Sequence, residues 1–469
     1  MTNTAEDRRS VNGGGEPASG GAAEAAIFFL LLFIPIISTI FFGAVDSSAI
    51  GILGVLAAVI AILWAAVITK ERRIALPSPM FIAPLAGLLL IGVVQLLPIS
   101  GAPPGAEVLA VPPSRALSID PFATRMFVVR LFVYLVFFAA ALTFIRTERR
   151  VKVTVITIVA FGGLMAFFAI LQRMAGAEAI YGLRVTPHAI PFGSFVNQHH
   201  FAALMEMTCG VGLGLIFAGG VKRDKLLLLL LPVVIMSAAV FFTGSRGGAL
   251  SFAAVFIFAA AVGTVLRHRD DQTVSESGDR RKLSAVAAAA AFLFLTLGLV
   301  LFLGAEANLF RSFGLESTQG DASSGRLHFW SVGLQIFLNN PVIGTGLDTF
   351  GAAFTEFDTR SGMYRVENAH NDYLQALADS GILGLLCVVA FLVLIFRGAL
   401  RSVSRLEGFQ RAAAIGAMAG IFGIVIHSFF DFPLRTTSNG FFFLLLTALA
   451  VNIPARRDHR RRRTSERGR

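Results

Sequence analysis

Apolar positions in this chain do not alternate with polar ones; they come in continuous runs. Twelve of these lie at about 26–44, 49–68, 81–98, 126–145, 151–172, 201–219, 226–243, 248–266, 284–304, 379–396, 412–430 and 438–453. Each approaches the roughly 20 residues that a helix needs to cross the hydrocarbon of a bilayer. Strands of an outer-membrane barrel would alternate apolar and polar residues, so the pattern predicts helices instead. The expected fold is an all-α polytopic membrane protein of about twelve transmembrane helices.

The stretches between the runs divide the chain further. Residues 1–25 are rich in Gly, Ala and Glu and read as a disordered tail. Residues 26–304 hold helices 1–9, with outer loops at 99–125 and 173–200. Residues 305–378 form a long loop, 379–454 hold helices 10–12, and 455–469 are a basic tail. The 99–125 loop carries Pro103, Pro104, Pro112, Pro113 and Pro121 and suits an extended segment on the membrane surface. The 305–378 loop predicts its own interfacial helix. Ser323, Ser324 and Gly325 offer a cap, Leu327, Trp330, Leu334 and Phe337 recur at helical spacing, and Pro341, Gly344 and Gly346 end it.

Composition and charge sharpen this picture. Hydrophobic residues make up 55% of the 469 and charged ones 15%, against about 25% charged in soluble domains, which excludes a soluble enzyme on a single anchor. The net charge is +11, and 29 of the 40 Lys and Arg lie in alternate loops and the two ends. By the positive-inside rule those loops and both termini face the cytoplasm. The tail from Ala455 holds eight Arg and reads as a contact with anionic lipid, not nucleic acid. Arg8 and Arg9 lie too far ahead of the first run for a twin-arginine signal, so an uncleaved first helix is expected. The two cysteines, Cys209 and Cys387, fall within runs and offer neither a disulfide framework nor metal-ligand spacing. There is no internal repeat of the inverted-transporter kind.

Candidate chemistry collects on the outer face. Arg246 stands in Thr243-Gly-Ser-Arg-Gly-Gly-Ala-Leu250, where Gly247 and Gly248 let backbone approach a ligand and the guanidinium offers a fork to phosphate oxygens; a snorkelling arginine would look the same. His370 precedes Asn371 and Asp372, either of which can cap a helix entering the tenth span. There the helix dipole favours neutral imidazole, the form a general base needs, although for this residue taken alone a satisfied structural histidine is the more ordinary reading. Arg184, Asn197 and His200 lie between the fifth and sixth spans, and Arg326 opens the loop helix. His199 and His200 lack a third ligand for a metal, and no metal or cofactor is expected.

These residues resemble the bacterial O-antigen ligases and related polysaccharide polymerases. Arg246 and Leu250 match that family's Arg-x-x-x-Leu, and His370, Asn371, Gly381 and Gly384 match its histidine motif. The segment around Asn197 and the arrangement Arg326, Trp330, Pro341, Gly344, Gly346 are similar as well. The likeness spans about residues 95–435, with a helical periplasmic loop between helices 9 and 10. It implies a GT-C-like, metal-independent inverting glycosyltransferase of the bacterial inner membrane, acting at its periplasmic face. The donor would be a glycan on undecaprenyl diphosphate, held by Arg246 with Arg184 and Arg326. His370 would act as base on an acceptor hydroxyl, and Asn371, Gly381, Gly384, Asn197 and His200 would give support. A ligase would use lipid A core as acceptor, a polymerase a second lipid-linked glycan, and a third related group a protein. A twelve-span lipid or solute transporter remains the alternative of another class, with Glu206 and His427 as its intramembrane ionisable residues.

Overall fold

The computed structural model describes residues 21–72, 77–100, 115–187, 189–271, 278–314, 325–360 and 366–451. Most of both expected tails, four of the outer-loop prolines (Pro103, Pro104, Pro112, Pro113), His188 and the cap candidates Ser323 and Ser324 lie outside the described residues.

Every apolar run falls in a helix. The first nine are α1 Ala22–Ile40, α2 Ser47–Glu71, α3 Pro79–Gln95, α4 Pro121–Phe144, α5 Glu148–Met174, α6 Gln198–Phe217, α7 Leu226–Phe242, α8 Arg246–Asp271 and α9 Gly278–Phe302. Three short helices follow, α10 Glu306–Ser312, α11 Arg326–Asn339 and α12 Phe350–Phe357. The last spans are α13 Asp372–Arg405, α14 Gly408–His427 and α15 Thr437–Val451. Among the described residues nine helices are long and apolar enough to cross a membrane, and shorter apolar helices at Pro79–Gln95, Ala289–Phe302 and Thr437–Val451 complete the twelve. The protein is therefore an all-α polytopic membrane protein with a long helical segment between its ninth and tenth spans. The small exception is a hairpin of two-residue strands, β1 Ala179–Ile180 and β2 Arg184–Val185.

Helix α6 occupies the middle of the bundle and is buried along almost its whole length against α5, α7, α8 and α14. Lipid tails are as apolar as leucine, so burial alone does not hold spans together; close backbone contact does. Gly210 and Gly214 of α6 face Gly416 and Gly420 of α14, and a Cβ on Gly210 would lie 2.7 Å from the Gly420 nitrogen. A four-residue spacing of glycines on each helix thus lets the two backbones touch.

Helix α13 is broken at Gly381, whose φ of 63° and ψ of −165° are not helical. The break exposes backbone groups that a lipid environment could not satisfy. The chain between α11 and α12 fills it. Thr345 and Gly346 donate to the carbonyls of Ala378 and Asp379 (both 3.0 Å), and Ile382 donates to that of Pro341 (2.8 Å). Gln95 of α3 locks the splice, its amide nitrogen donating to Ile343 and Asp379 and its oxygen accepting from Leu347. The Pro341, Gly344, Gly346 and Gly381 pattern is the two halves of one joint.

Helix α11 begins after Gly325, as expected, but its apolar residues divide between two faces. Val332 and Ile336 are buried against Phe350 and Phe354 of α12, in a small core of their own. Leu327, Leu334 and Leu338 of the anticipated stripe and its continuation are exposed, at 66%, 48% and 63%. A helix packed on one side and apolar on the other is what an interfacial position at the bilayer surface requires.

Candidate active site

The end of the bundle where α6, α8 and α13 begin, and where α14 ends, gathers most of the residues singled out above. Asn371 is the N-cap of α13, its Oδ1 accepting from the amides of Tyr373 and Leu374 at 3.0 Å. His370 immediately precedes it with φ +50°, a conformation uncommon for a residue with a Cβ and held only where neighbours fix both sides. They do so here. The Ala369 carbonyl accepts from Trp330 Nε1 (3.1 Å) and its amide donates to Gln375 Oε1 (3.1 Å). On the other side the Asp372 amide donates to the Ser428 carbonyl (2.9 Å), and the Tyr373 hydroxyl donates to that of Val425 (2.8 Å). These bonds dock the start of α13 on the end of α14.

That docking sets His370 opposite Asp431, a residue the reading of cations and histidines passed over. His370 Nδ1 lies 3.3 Å from Asp431 Oδ1, and the Arg326 guanidinium lies 3.7 Å from Oδ2 of the same carboxylate. Asp431 is 2% exposed against 30% for the His370 side chain and 23% for Arg326, so the carboxylate forms the floor and its two partners face outward. Burial alone would raise the Asp431 pKa, but its contact with His370 and the nearby His199 and His200 rings outweigh burial and hold it below the ordinary carboxylate range. The His370 ring is packed between Phe329 and Phe432, with centroids 6.0 and 4.8 Å away.

Arg246 reaches the same end as the first residue of α8. Its turn is tied to α6 through Ser245, whose Oγ lies 2.7 Å from His199 Nδ1 and accepts from the Gly248 amide at 3.0 Å. A Cβ on Gly247 would lie 3.3 Å from Phe430, one residue before Asp431, so the Arg246 turn abuts the segment that carries the carboxylate. Arg311, at the end of α10, joins it from the long loop. Its Cδ lies 3.2 Å from where a Cβ on Gly244 would stand.

Asn197 and His200 serve this end by holding the chain around it in place. Asn197 caps α6 by accepting from the His199 amide (2.9 Å). His200 Nδ1 lies 2.6 Å from Thr436 Oγ1, and its ring meets Phe432 edge-on at 4.8 Å. Gly381 and Gly384 stand at the break in α13, away from the His370 ring. Arg184 is not brought to this cluster. Its guanidinium makes two bonds to Asp46, at 2.6 and 3.0 Å, and lies over the Phe42 ring, fastening the β1–β2 hairpin to the start of α2. The arginine in its place by the bundle is Arg435, paired with Asp348 (2.5 Å) and Asp379 (2.6 Å).

Beside this polar end is a cavity of about 190 Å³ between α3, α4, α13, α14 and α15. Leu88, Leu131 and Phe391 line its apolar length, and Asp372, Asp379 and Arg435 its polar end. Among the described residues no group of three or more His, Cys, Asp or Glu is placed to hold a metal ion.

A twelve-helix membrane bundle with a histidine, a buried carboxylate and several arginines at one end defines the class. Residues 231–389 match the family model described as O-antigen ligase, the family that the Arg246 and His370 motifs resemble. Over 225 residues the chain is also 27% identical to the exopolysaccharide production protein ExoQ of Rhizobium meliloti (strain 1021), in an alignment covering 44% of this chain and 47% of that protein. The chain thus spans about half the length of the curated relative it matches. The matched family segment includes Arg246, Arg326, His370, Gly381 and Gly384; Asn197, His200 and Asp431 lie outside it.

Proposed function

We propose that the protein is an inverting glycosyltransferase of the O-antigen ligase and polymerase type. It takes a glycan from undecaprenyl diphosphate and gives it to a hydroxyl of a second saccharide. The carrying observation is the His370–Asp431 contact, with Arg326 on the same carboxylate and the Arg246 turn beside it. With Nδ1 facing Asp431 at 3.3 Å, Nε2 is the ring nitrogen left to meet an acceptor, the division of roles that a histidine base has in hydrolase triads. The acceptor oxygen attacks the anomeric carbon in line, its proton passes to His370 Nε2, and the bond to the diphosphate breaks.

The leaving diphosphate needs charge neutralised and not a proton, so cationic side chains can supply the stabilisation. Arg246 is the first of these, with Arg311 against its turn at Gly244 and Arg326 on the Asp431 carboxylate; Arg184, engaged with Asp46, is left out of the diphosphate site. The cavity beside Arg435, apolar along most of its lining, suits a length of the polyprenyl chain. Orientation follows from the basic loops: both termini in the cytoplasm of a bacterial cell, the protein in the inner membrane and this site in the periplasm. The acceptor read first is lipid A core. The name of the Rhizobium relative favours, as a second reading, elongation of a lipid-linked glycan.

The test is transfer by the purified protein in nanodiscs, given an undecaprenyl-diphosphate glycan and either lipid A core or a second lipid-linked glycan, with and without chelator. Product on lipid A core identifies a ligase, elongation a polymerase. In either case His370→Ala is expected to lose about 10²–10⁴-fold in kcat, and Arg246→Lys, which keeps charge but loses the fork, about tenfold or more. No product with either acceptor, or full activity of His370→Ala, overturns the assignment. A rate abolished by chelator overturns its metal independence.

A further inference from the structure

One pair of buried ionisable groups has no part in the chemistry just described. Glu206, in the middle of α6, and His427, the last residue of α14, are 0% and 1% exposed, and Glu206 Oε1 lies 2.9 Å from His427 Nδ1. Keeping such a pair inside a membrane bundle is costly, and the helices already meet through glycines, so packing alone gives no reason for it.

Three connections lead from this pair to the site. The His427 carbonyl accepts from the amides of Phe430 (2.8 Å) and Asp431 (3.0 Å), which turns the chain so that the Asp431 carboxylate meets His370. The far side of the His427 ring faces the arginine turn, since a Cβ on Gly247 would lie 3.6 Å from Nε2. Glu206 stands two turns into α6 below His199, which holds Ser245 next to Arg246. A single side-chain bond therefore joins α6 to the residue that carries both the Asp431 turn and the wall behind the Arg246 turn.

We infer that Glu206 and His427 are positioning residues, a hydrogen-bonded strut that sets the Arg246 turn and the Asp431–His370 pair at their working separation. This rests on the transfer reaction proposed above. An acid and a base bonded to each other hold one geometry, whereas two apolar side chains of similar size would let the end of α14, beyond its glycine contacts, shift against α6. Displacements of about 1 Å between a base and a leaving-group site cost on the order of 10²-fold in rate.

The experiment uses the full chain in nanodiscs and compares wild type, Glu206→Gln and the exchanged pair Glu206→His with His427→Glu. Each is measured for transfer kinetics and for backbone hydrogen exchange. Glu206→Gln is expected to lower kcat on the order of 10²-fold while the donor KM changes little. Exchange is expected to quicken at residues 243–248 and 428–432 and not elsewhere. The exchanged pair is expected to restore both readouts in part. Unchanged exchange with an unchanged kcat overturns the inference. So does a loss spread over all spans that the exchanged pair fails to reverse, because that would mark a general stabilising role. If the wild type transfers no glycan, the reaction reading fails, and the exchange pattern by itself decides for or against the strut.

Discussion

Asp431 is the residue on which the reading of His370 turns. A lone histidine at a helix entrance is often structural; one set 3.3 Å from a buried carboxylate has a neighbour that can orient its ring. Asp431→Asn keeps the size but loses the charge, and is expected to lower kcat about 10²-fold or more with little effect on donor binding. A wild-type rate would remove Asp431 from the mechanism. The same carboxylate makes a second prediction through linkage. Its folded pKa is depressed by His370 and the neighbouring histidines against the opposing pull of burial, while in the unfolded chain it titrates near about 3.9. A depressed value stabilises the fold above the unfolded pKa and loses that contribution as pH falls toward the folded one. The gap in melting temperature between wild type and Asp431→Asn should therefore stay level from neutral pH down to about 5 and shrink below about 4. A gap that widens on acidification contradicts the depressed pKa.

At the scale of elements, the joint in α13 explains why the histidine motif ends in glycines. Gly344 has φ +71°, and a Cβ there would run into the backbone of Asp379 and Ser380. Gly344→Ala should cost about 1–3 kcal/mol from the backbone conformation alone, with the collision added, and is expected to lower the thermal midpoint and transfer together. Gly54→Ala, whose Cβ would meet nothing within 4 Å, should be neutral. Equal midpoints for the two variants would mean that the splice is not rigid.

The contrast also marks what was legible in the sequence. The twelve spans were, because continuous apolar runs have a length the bilayer dictates. The cap at Asn371 was, because side-chain capping is local, as was the loop helix after Gly325. Its packed face was not: Val332 and Ile336 are buried by α12, a partner no spacing in α11 names. Nor was the pairing of the 341–347 loop with Gly381, which bonds residues distant along the chain, nor the loss of Arg184 to Asp46. Asp431 and Arg435 sit in the short link Phe430-Asp-Phe-Pro-Leu-Arg435 between the last two spans. An acid and a base in a six-residue turn are the signal there, and neither is a cation-and-histidine pattern of the kind that marks Arg246 and His370.

Across the whole molecule, charge is distributed differently at the two ends. At the site end the arginines meet acids: Arg184 with Asp46, Arg326 with Asp431, Arg435 with Asp348 and Asp379. At the other end stand the basic loops Arg146–Lys152, Lys222–Lys225 and Arg397–Arg411, where Arg150 pairs with Glu24 beside the start of α1. Orientation follows the surplus of Lys and Arg in short loops, so the opposed ends predict the site outward and the basic loops inward. Cysteine labelling checks this directly. In a background carrying Cys209→Ala and Cys387→Ser, Ser331→Cys on the exposed side of α11 should react with an impermeant maleimide in intact spheroplasts. Ser404→Cys at the far end of α13 should react only after the membrane is opened. The reverse pattern would put His370 in the cytoplasm, where nucleotide-activated sugars are available and a donor carried on undecaprenyl diphosphate would not be needed. The orientation result thus bears on the donor class as well as on topology.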